Sequence, residues 1–370
     1  MSTIGATAPS QNTINYDALL SSTLMAYRPT LVDNIFKYNA LLAALKKYDG
    51  IRYQNGGERV QELLMYELND SFKSYKGYEQ ITVKPQDGIT SAFYDWSEIA
   101  GSITISRREE RQNSGEARIL NLLEQKIKQA EMSIKAQVNT QLVAGTINTA
   151  TFVPGNDAKD LLPLGYFLSK NNNANPLAGG NVGNISRVTY NWWRPHTAVF
   201  DSGAKDTGNS FAVAVTTYAG LKAALYRMYN FVSRGADGSG ANIVLSDQIT
   251  YETYENGLDQ SKRYTDESMA TMGFDSVKLK GATMIWDELV PSIDTGEAAG
   301  AATATGTAFF LNTQFFKLVI DEQTDFITTE FITPENQTAK SAKVLFMGQT
   351  SVNNPRKLGV CYGISQGIVA

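Results

Sequence analysis

The sequence offers few side chains that could form a catalytic centre. It contains one histidine, His196, and one cysteine, Cys361. A Ser-His-Asp or Cys-His site would have to use His196 as its base. His196 stands beside Pro195 and two tryptophans, and Cys361 lies in an alternating apolar run. We therefore interpret His196 as a structural or surface residue and Cys361 as a packing residue.

Sites for metals and cofactors are also poorly supported. One histidine and one cysteine cannot supply a His/Cys metal cluster. No G-x-x-x-x-G-K-[ST] phosphate loop and no dinucleotide fingerprint occurs. The segment Gly235–Gly240 is rich in glycine, but it has no lysine partner and follows a helical pattern, which is typical of a hinge or loop. We expect no metal and no cofactor.

The paired carboxylates Glu109 and Glu110 lie inside a mixed charge cluster, Arg107–Arg111. The cluster fits a solvated helix start. It equally fits ion pairs with neighbouring subunits, where several weak pairs act together. Paired carboxylates could also serve a glycosidase, but nothing in the sequence favours that reaction. We therefore expect a protein without enzymatic activity.

Size and charge limit the classes of protein that the chain could belong to. Its 370 residues allow two or three domains. The net charge of −4 indicates that the whole protein does not bind nucleic acid electrostatically, although a container for nucleic acid need not grip its contents. No apolar run approaches the ~20 residues of a membrane span. The start of the chain lacks the pattern of a secretory signal, so we expect synthesis in the cytoplasm and no membrane partner.

Hydrophobic periodicity predicts helices and strands that are grouped along the chain and do not strictly alternate. The predicted helices are two short ones between Tyr16 and Tyr48, a long one over residues 116–144, one over residues 217–233 and one that starts at Asp247. The predicted strands include residues 242–246, 276–286, 308–311, 316–320, 326–332, 343–350 and 358–364. Segregated elements of this kind favour an α+β fold.

Residues 51–106 differ from the rest of the chain. Gly56 and Gly57 indicate a turn, the run Ile99–Ser106 alternates as a strand does, and tyrosines are frequent between them. A long two-stranded excursion with little core of its own is marginal in isolation. Tyrosine and tryptophan are also enriched at interfaces. We therefore expect this segment to lie against another surface.

The order of these features resembles the major capsid protein of tailed bacteriophages, a fold shared with encapsulins and with the floor of herpesvirus capsids. A polar arm and short helices come first, followed by an extended loop, a long helix, a break and a second module. The most specific stretches are Gly273–Glu288, Thr307–Asn312 and Asn353–Ile364, the last reading NNPRKLGVCYGI. The resemblance covers roughly residues 50–370. The alanine- and threonine-rich segment 294–307 departs from it, because it is longer than the family leads us to expect.

The resemblance implies a division of the chain into capsid segments. These are an amino-terminal arm with short helices (1–50), an extended loop that reaches over a neighbour (51–106), a peripheral domain (107–235) with its spine helix (116–144), an axial domain (236–325) and strands that return to the peripheral domain (326–370). The final strand, within NNPRKLGVCYGI, would then re-enter the long peripheral sheet.

The resemblance further implies a structural protein whose main partner is itself, in the hexamers and pentamers of an icosahedral head that encloses double-stranded DNA. Separate scaffold and portal proteins are expected partners, and the virion is the expected location. An encapsulin-type compartment and a hydrolase with an unrecognised acidic site are the alternatives. We expect subunit contacts at two groups of residues: Glu58, Arg59, Tyr66, Tyr94 and Trp96 in the extended loop, and Arg107, Arg108 and Arg111 in the charge cluster.

Overall fold

The computed structural model describes residues 40–69, 71–80, 88–112, 122–143, 159–168, 181–200, 210–235, 239–258, 276–290, 306–333 and 338–364. Its helices are α1 (Ala40–Lys47), α2 (Arg107–Gln112), α3 (Leu122–Val143), α4 (Leu164–Phe167), α5 (Tyr218–Val232) and α6 (Gln248–Asn256), with 3-10 turns at Asn191–Trp193 and Pro355–Lys357. Its strands are β1 (Ile51–Gln54), β2 (Val60–Met65), β3 (Ile89–Tyr94), β4 (Ser97–Ser106), β5 (Asn181–Val182), β6 (Ile185–Ser186), β7 (His196–Val199), β8 (Phe211–Ala212), β9 (Ile243–Ser246), β10 (Val277–Leu279), β11 (Ala282–Trp286), β12 (Gly306–Leu311), β13 (Phe316–Asp321), β14 (Ile327–Thr328), β15 (Ala339–Val352) and β16 (Gly359–Ile364).

The predicted helices are present wherever the described residues reach them. Helix α3 contains 22 residues and is therefore about 33 Å long. Its apolar positions Ile134, Val138 and Leu142 are buried in the main core. The remaining ends of the predicted long helix, residues 116–121 and 144, lie outside the described residues, as does the first of the two short helices. Within the described part, no helix is both long and apolar enough to cross a membrane.

One sheet has five strands and is organised by β15, which is 14 residues long. Strand β4 runs antiparallel along one side of β15, from the pair Ser97 and Gly348 to the pair Ser106 and Ala339. Strands β13 and β14 pair with the other side, and β1 adds to β13 in parallel. Helix α3 packs on β4, where Gly101 lets Ile134 approach closely. Among the strands that the structure describes, β4 is therefore an edge strand, and a helix lies beside it.

The second sheet has seven strands in the order β10-β11-β9-β12-β16-β7-β8. Its central strands β9, β12 and β16 are buried at every position. Both of their faces are covered: one packs against α5 in a second core that contains Leu221 and Met228, and the other contributes Phe309 and Val360 to the main core. Continuous apolar strands are expected when both faces of a sheet are covered.

Gly359 in β16 shows how the helix approaches this sheet. A β-carbon at Gly359 would lie 2.5 Å from the Met228 methyl group and 2.9 Å from the Val232 side chain, so only glycine allows α5 to pack this closely.

Strand pairing differs from the sequence expectation for three segments. The last strand, β16, lies between β12 and β7 in the seven-stranded sheet and does not return to the sheet of β15. Strand β13 falls inside the predicted axial segment but belongs to the five-stranded sheet, while β7 falls inside the predicted peripheral segment but pairs with β16. Because β16 is buried on both faces, it needs the covered centre of a sheet. The division of the chain into capsid domains remains a prediction.

Candidate functional site

The hairpin formed by β2 and β3 is the part of the predicted extended loop that leaves the two large sheets. Strands β1 and β4, which flank it, are members of the five-stranded sheet. The hairpin register pairs Val60 with Tyr94 and Met65 with Ile89. Residues that lie opposite each other in an antiparallel pair share one face. The hairpin therefore has an inner face and an outer face of different composition.

The inner face holds the hairpin on its own subunit. Val60, Leu64 and Ala92 are buried in the main core. The carboxylate of Glu62 lies 2.8 Å from the Arg52 guanidinium of β1 and accepts a hydrogen bond of 2.9 Å from the Ser351 hydroxyl of β15. Since this carboxylate is mostly buried, its ion pair and hydrogen bond fix the hairpin at one angle to the sheet.

The outer face is apolar and open. Leu63, Met65 and Ile89 are 74%, 79% and 71% exposed. Beyond them, the tip of the hairpin exposes Leu68, Phe72, Tyr75 and Tyr78. A soluble monomer rarely exposes so many large apolar side chains on one projection, because contiguous patches of this kind mark interaction sites or aggregation hazards. A two-stranded sheet with apolar side chains on both faces indicates that a second surface covers the outer one.

An aromatic cluster supports the base of the hairpin. The ring of Tyr66 stacks on Trp192, with centroids 5.3 Å apart and an interplanar angle of 13°. The backbone N–H of Phe93 donates to the Gly183 carbonyl at 3.2 Å. The indole N–H of Trp193 donates to the Val182 carbonyl at 2.9 Å, so the same short β5–β6 turn contacts both the hairpin and the cluster.

Arg187 lies beneath this cluster and is fully buried. Its Nη2 donates to the Phe167 carbonyl at 2.7 Å, while its Nε and Nη1 have no acceptor among the residues that the structure describes. Burial lowers the pKa of Arg187 to about 10, and the nearby phenols of Tyr166 and Tyr94 partly oppose that shift. Sequence reasoning did not predict a buried cation at this position, because nothing in the neighbouring residues distinguishes Arg187 from a surface arginine.

The two adjacent tryptophans allow a test of how the hairpin is supported. Trp193 is fully buried, and we expect Trp193→Ala to lower the free energy of unfolding by about 3–5 kcal/mol. Trp192 is half-buried and mainly supports Tyr66, so Trp192→Ala should cost only about 0.5–1.5 kcal/mol. Chemical denaturation of the two variants measures both values. Equal losses would show that Trp192 is as much a core residue as Trp193.

The residues predicted from the extended loop occupy different environments. Glu58 is exposed. Arg59 is half-exposed and pairs with the exposed Asp95 at 2.9 Å. The Trp96 ring is partly buried against the main core, and its indole N–H donates to the Gly57 carbonyl at 2.8 Å.

Tyr94 is the predicted contact residue that the structure places inside its own chain. It is 2% exposed, and its hydroxyl donates to the Val352 carbonyl at 2.8 Å. Because its face of β3 points towards β15, Tyr94 cannot offer area to a neighbour. We therefore remove Tyr94 from the proposed contact residues, whereas the accessible members of the group remain predictions.

The charge cluster at α2 is exposed. Arg107, Arg108 and Arg111 face solvent in the single chain. Glu109 accepts a hydrogen bond of 2.9 Å from the Lys126 ammonium of α3, and this bond is the main reason why the pKa of Glu109 is lowered. The Glu109 carboxylate is thus used within the chain, and the contacts of the three arginines with neighbouring subunits stay a prediction.

Sequence reasoning missed the residues of the outer face. Leu63, Met65 and Ile89 were not predicted as contact residues, because the prediction was based on tyrosines, tryptophan and charged residues. A signal was available: the run Leu63-Leu64-Met65 places apolar side chains on both faces of a strand. Such a run predicts a covered second face.

The chemically reactive side chains form no catalytic group in the described residues. Cys361 is fully buried, and burial raises the pKa of its thiol. His196 lies 3.0 Å from the Ser210 hydroxyl and packs on Phe231. No cluster of three His, Cys, Asp or Glu residues suited to a metal occurs in the same part of the chain. The letters G-x-S-x-G do occur at Gly363–Gly367, but the serine lies outside the described residues.

The setting of His196 predicts a pH effect. Burial lowers its pKa to about 4, and the positive charges of Arg356 and Arg234 add to the shift. The unfolded chain, with an ordinary histidine pKa near 6.5, therefore binds a proton first as the pH falls, and stability is lost between about pH 6.5 and pH 4. Between pH 7 and pH 5 the free energy of unfolding of the parent chain should fall. In the His196→Gln variant, which retains a partner for Ser210, we expect this fall to be about 1–2 kcal/mol smaller. Urea denaturation at both pH values measures this difference. If the free energy of unfolding changed equally with pH in the parent and in the variant, His196 would not be the group responsible.

Comparison with known proteins identifies the fold. No protein-family model matches the chain, and no curated protein matches its sequence. Solved structures do match. A chain of the cyanophage A-1(L) capsid aligns with a TM-score of 0.61 and 14% identity, over 90% of this chain and 95% of that one. A chain of the capsid of Myoviridae phage XM1 aligns with a TM-score of 0.52 and 14% identity, over 90% and 95%.

An encapsulin gives a similar result. The SrpI encapsulin complex from Synechococcus elongatus PCC 7942 aligns with a TM-score of 0.51 and 9% identity, over 95% of this chain and 97% of the encapsulin chain. Identities this low establish architecture alone, but the alignments cover both chains almost completely and the α+β prediction is confirmed. This chain has the fold of the major capsid proteins of tailed phages, which encapsulin shells share.

Proposed function

We propose that the chain is a structural shell subunit that assembles with copies of itself and has no enzymatic activity. The observation that supports this most strongly is the exposed apolar outer face of the β2–β3 hairpin at Leu63, Met65 and Ile89. A shell needs repeated contacts between different surfaces of identical subunits, related by rotations that close. Each contact can be weak, because assembly multiplies the contacts.

The content of the shell is double-stranded DNA in our leading proposal, with hexamers and pentamers forming a phage head and with separate scaffold and portal proteins as partners. The subunit would then belong to the virion after synthesis in the host cytoplasm. The fold equally occurs in an encapsulin, so a compartment for protein cargo is the second proposal. A neighbouring gene for a terminase or portal would favour the head, and a neighbouring cargo enzyme with a docking tail would favour the compartment.

The regions of the subunit are assigned by the same proposal. The β2–β3 hairpin is the extended loop that reaches a neighbour, and the arginines of α2 form ion pairs at subunit contacts. The proposed interface residues from the sequence are Glu58, Arg59, Tyr66, Trp96, Arg107, Arg108 and Arg111. The outer-face residues Leu63, Met65 and Ile89 join this set because they are exposed and apolar.

Sedimentation velocity of the purified chain tests the proposal. A shell subunit sediments as large, discrete particles, and negative-stain micrographs of the same fraction show closed rings of uniform diameter. A chain that stays monomeric and hydrolyses a substrate would support the hydrolase alternative.

A further inference from the structure

Helix α5 carries positive charges and no negative ones. Its sequence from Tyr218 to Val232 contains no aspartate and no glutamate. Five cationic side chains lie on this helix or beside it, and together we call them the basic face: Lys222, Arg227, Arg234, Lys280 and Arg356. The chain has a net charge of −4 with these five cations included, so the remainder carries a net charge of −9. The basic face is therefore a local exception on an acidic protein.

Two arginines of the basic face stack on aromatic rings. The Arg234 guanidinium lies 3.9 Å from the centre of the Phe231 ring. The Arg227 guanidinium lies 4.6 Å from the centre of Phe211, a ring that itself stacks on Phe231, and 5.9 Å from the centre of Phe231. A guanidinium that stacks by its flat side keeps its N–H edge free to donate hydrogen bonds. Both arginines are thus held close together with their donors available.

Arg356 adds a third exposed guanidinium to the same place. It lies in the 3-10 turn Pro355–Lys357, before the last strand. Besides burial, the positive charges of Arg356 and Arg234 lower the pKa of His196, so both charges lie near the His196 ring. That ring packs on Phe231, with centroids 5.6 Å apart. Three guanidinium groups from two separate segments of the chain therefore surround one pair of rings.

The lysines extend the basic face along α5. The Lys280 ammonium lies 5.1 Å from the centre of the Tyr226 ring and donates to the Asn230 side-chain oxygen at 2.6 Å. Lys222 lies one turn earlier, 5.9 Å from the same ring. The distance along the helix from Lys222 to Arg234 is about 18 Å. One strand of double-helical DNA presents about five phosphates over that distance, at 3.4 Å of axial rise for each.

None of the five cations forms an ion pair with a carboxylate among the residues that the structure describes. On the adjacent helix α6, Glu252 accepts a hydrogen bond of 2.7 Å from Gln248. Clustered cations with aromatic rings between them are the electrostatic pattern of a surface that binds nucleic acid. Guanidinium groups also match phosphate oxygens with two parallel hydrogen bonds. The chemistry of the basic face therefore fits a row of phosphates.

We propose that the basic face binds the phosphate backbone of the double-stranded DNA that the shell encloses, so that α5 lines the inner wall. This inference rests on the proposed function as a phage head and names the surface that meets the contents. Contacts to phosphates carry no sequence information, which suits a container that accepts any sequence. The negative charge of the remainder of the chain restricts the contact to this one surface.

The affinity of dissociated subunits for a short labelled DNA duplex tests the contact, measured by fluorescence anisotropy at several salt concentrations. The variant Arg227→Gln, Arg234→Gln, Arg356→Gln removes three charges from the basic face. We expect it to bind at least about tenfold more weakly at low salt. The slope of log affinity against log salt concentration should become shallower by about 2–3, because three counterion-releasing contacts are lost.

A matched control removes three exposed positive charges elsewhere on the chain: Lys73→Gln, Lys76→Gln and Lys128→Gln. Its net charge equals that of the arginine variant, but its salt slope should equal that of the parent. Equal slopes for the two variants would show that only the net charge matters and would overturn the proposal. Poly-L-glutamate that displaces the duplex at an equal concentration of charge would also overturn it, in favour of an acidic peptide as the ligand.

A second variant guards against a loss of folding. Arg227→Lys, Arg234→Lys and Arg356→Lys keep the positive charges and remove the planar fork. We expect this variant to retain the parent salt slope and to bind more weakly than the parent, since an ammonium cannot make the paired hydrogen bonds. Circular dichroism confirms that each variant is folded. A lysine variant whose slope falls as far as that of the glutamine variant would contradict binding through charge.

Chemical labelling of assembled shells shows on which side of the wall the basic face lies. A small N-hydroxysuccinimide ester, which passes between subunits, should modify Lys222 and Lys280 in closed shells, whereas the same ester on a large polymer should not. Modification by the polymer would mean that the basic face lies outside. Protection from both reagents would mean that a neighbouring subunit covers it. Either result would overturn this inference and leave the shell function intact, whereas a chain that binds DNA through these residues and forms no particles would overturn the shell function.

Discussion

A chain whose hairpin tip is removed should fold as a subunit and fail to form shells. The tip begins after Tyr66, whose N–H donates to the Gly88 carbonyl at 3.0 Å. Replacing residues 67–87 with Asn-Gly closes the hairpin with a two-residue turn and retains the stacking of Tyr66 on Trp192. The replacement deletes Leu68, Phe72, Tyr75 and Tyr78, none of which contributes to a core of the subunit.

The expected thermal stability of this variant is close to that of the parent, because none of the described residues of the replaced segment is buried. Assembly should disappear, since each deleted apolar side chain would contribute about 1.5–3 kcal/mol if a neighbour buried it fully. Light scattering and negative-stain microscopy measure the loss. The matched control changes the exposed charges of the same segment, Lys73, Lys76 and Glu79, to serine and keeps the apolar residues. Normal particles from the tip-replaced chain would contradict the role of the hairpin in assembly.

Charged side chains on the outer face should reduce assembly as much as replacement of the hairpin tip does, and they change the backbone less. Leu63, Met65 and Ile89 are all exposed in the single chain. The free energy of unfolding of the combined variant Leu63→Lys, Met65→Glu, Ile89→Lys should therefore lie within about 1 kcal/mol of the parent value. In a shell the same positions would be covered, and the desolvation of charged side chains there costs several kcal/mol at each contact, even though positions 65 and 89 lie opposite each other. We therefore expect the free subunit to accumulate and particles to vanish.

The control for this variant keeps the apolar character of the face. Leu63→Met, Met65→Leu and Ile89→Val change shape slightly and should preserve assembly. The comparison separates a requirement for apolar area from a general sensitivity of the hairpin. If the charged variant assembles as well as the conservative one, the outer face is exposed in the shell and the proposed interface is wrong.

The elements of the fold were predictable where their periodicity was strong. Leu221, Leu225, Met228 and Val232 repeat at helical spacing, and α5 buries all four. Strand β9 was predicted from a continuous apolar run, which is what a strand covered on both faces requires. Each of these patterns reflects both the local backbone geometry and the burial of the side chains. They therefore predict a helix or a strand even when the element that packs against it is not known.

Sheet membership was not predictable in the same way. The pattern of Leu358 to Ile364 indicates a buried strand, but it does not state which strand pairs with it. Pairing of β16 with β12 and β7 depends on contacts across about 50 and 160 residues of chain, and no local signal encodes that choice. The family resemblance supplied the order of elements, but it did not predict that β15 and β16 belong to different sheets.

The candidate site was predicted in outline and missed in detail. Tyrosines and Trp96 indicated that residues 51–106 contact another surface, but Tyr94 turned out to be buried in its own subunit. The alternation of β2 and β3 decides which side chains face outward, and only the register of Val60 with Tyr94 fixes that alternation. A one-residue change of register would have exchanged the inner and outer faces.

An electron cryomicroscopy reconstruction of particles formed by the purified chain tests the central claim most directly. We predict closed shells in which Leu63, Met65 and Ile89 of each subunit are covered by a neighbouring copy. Particles in which these three side chains face solvent would contradict the claim.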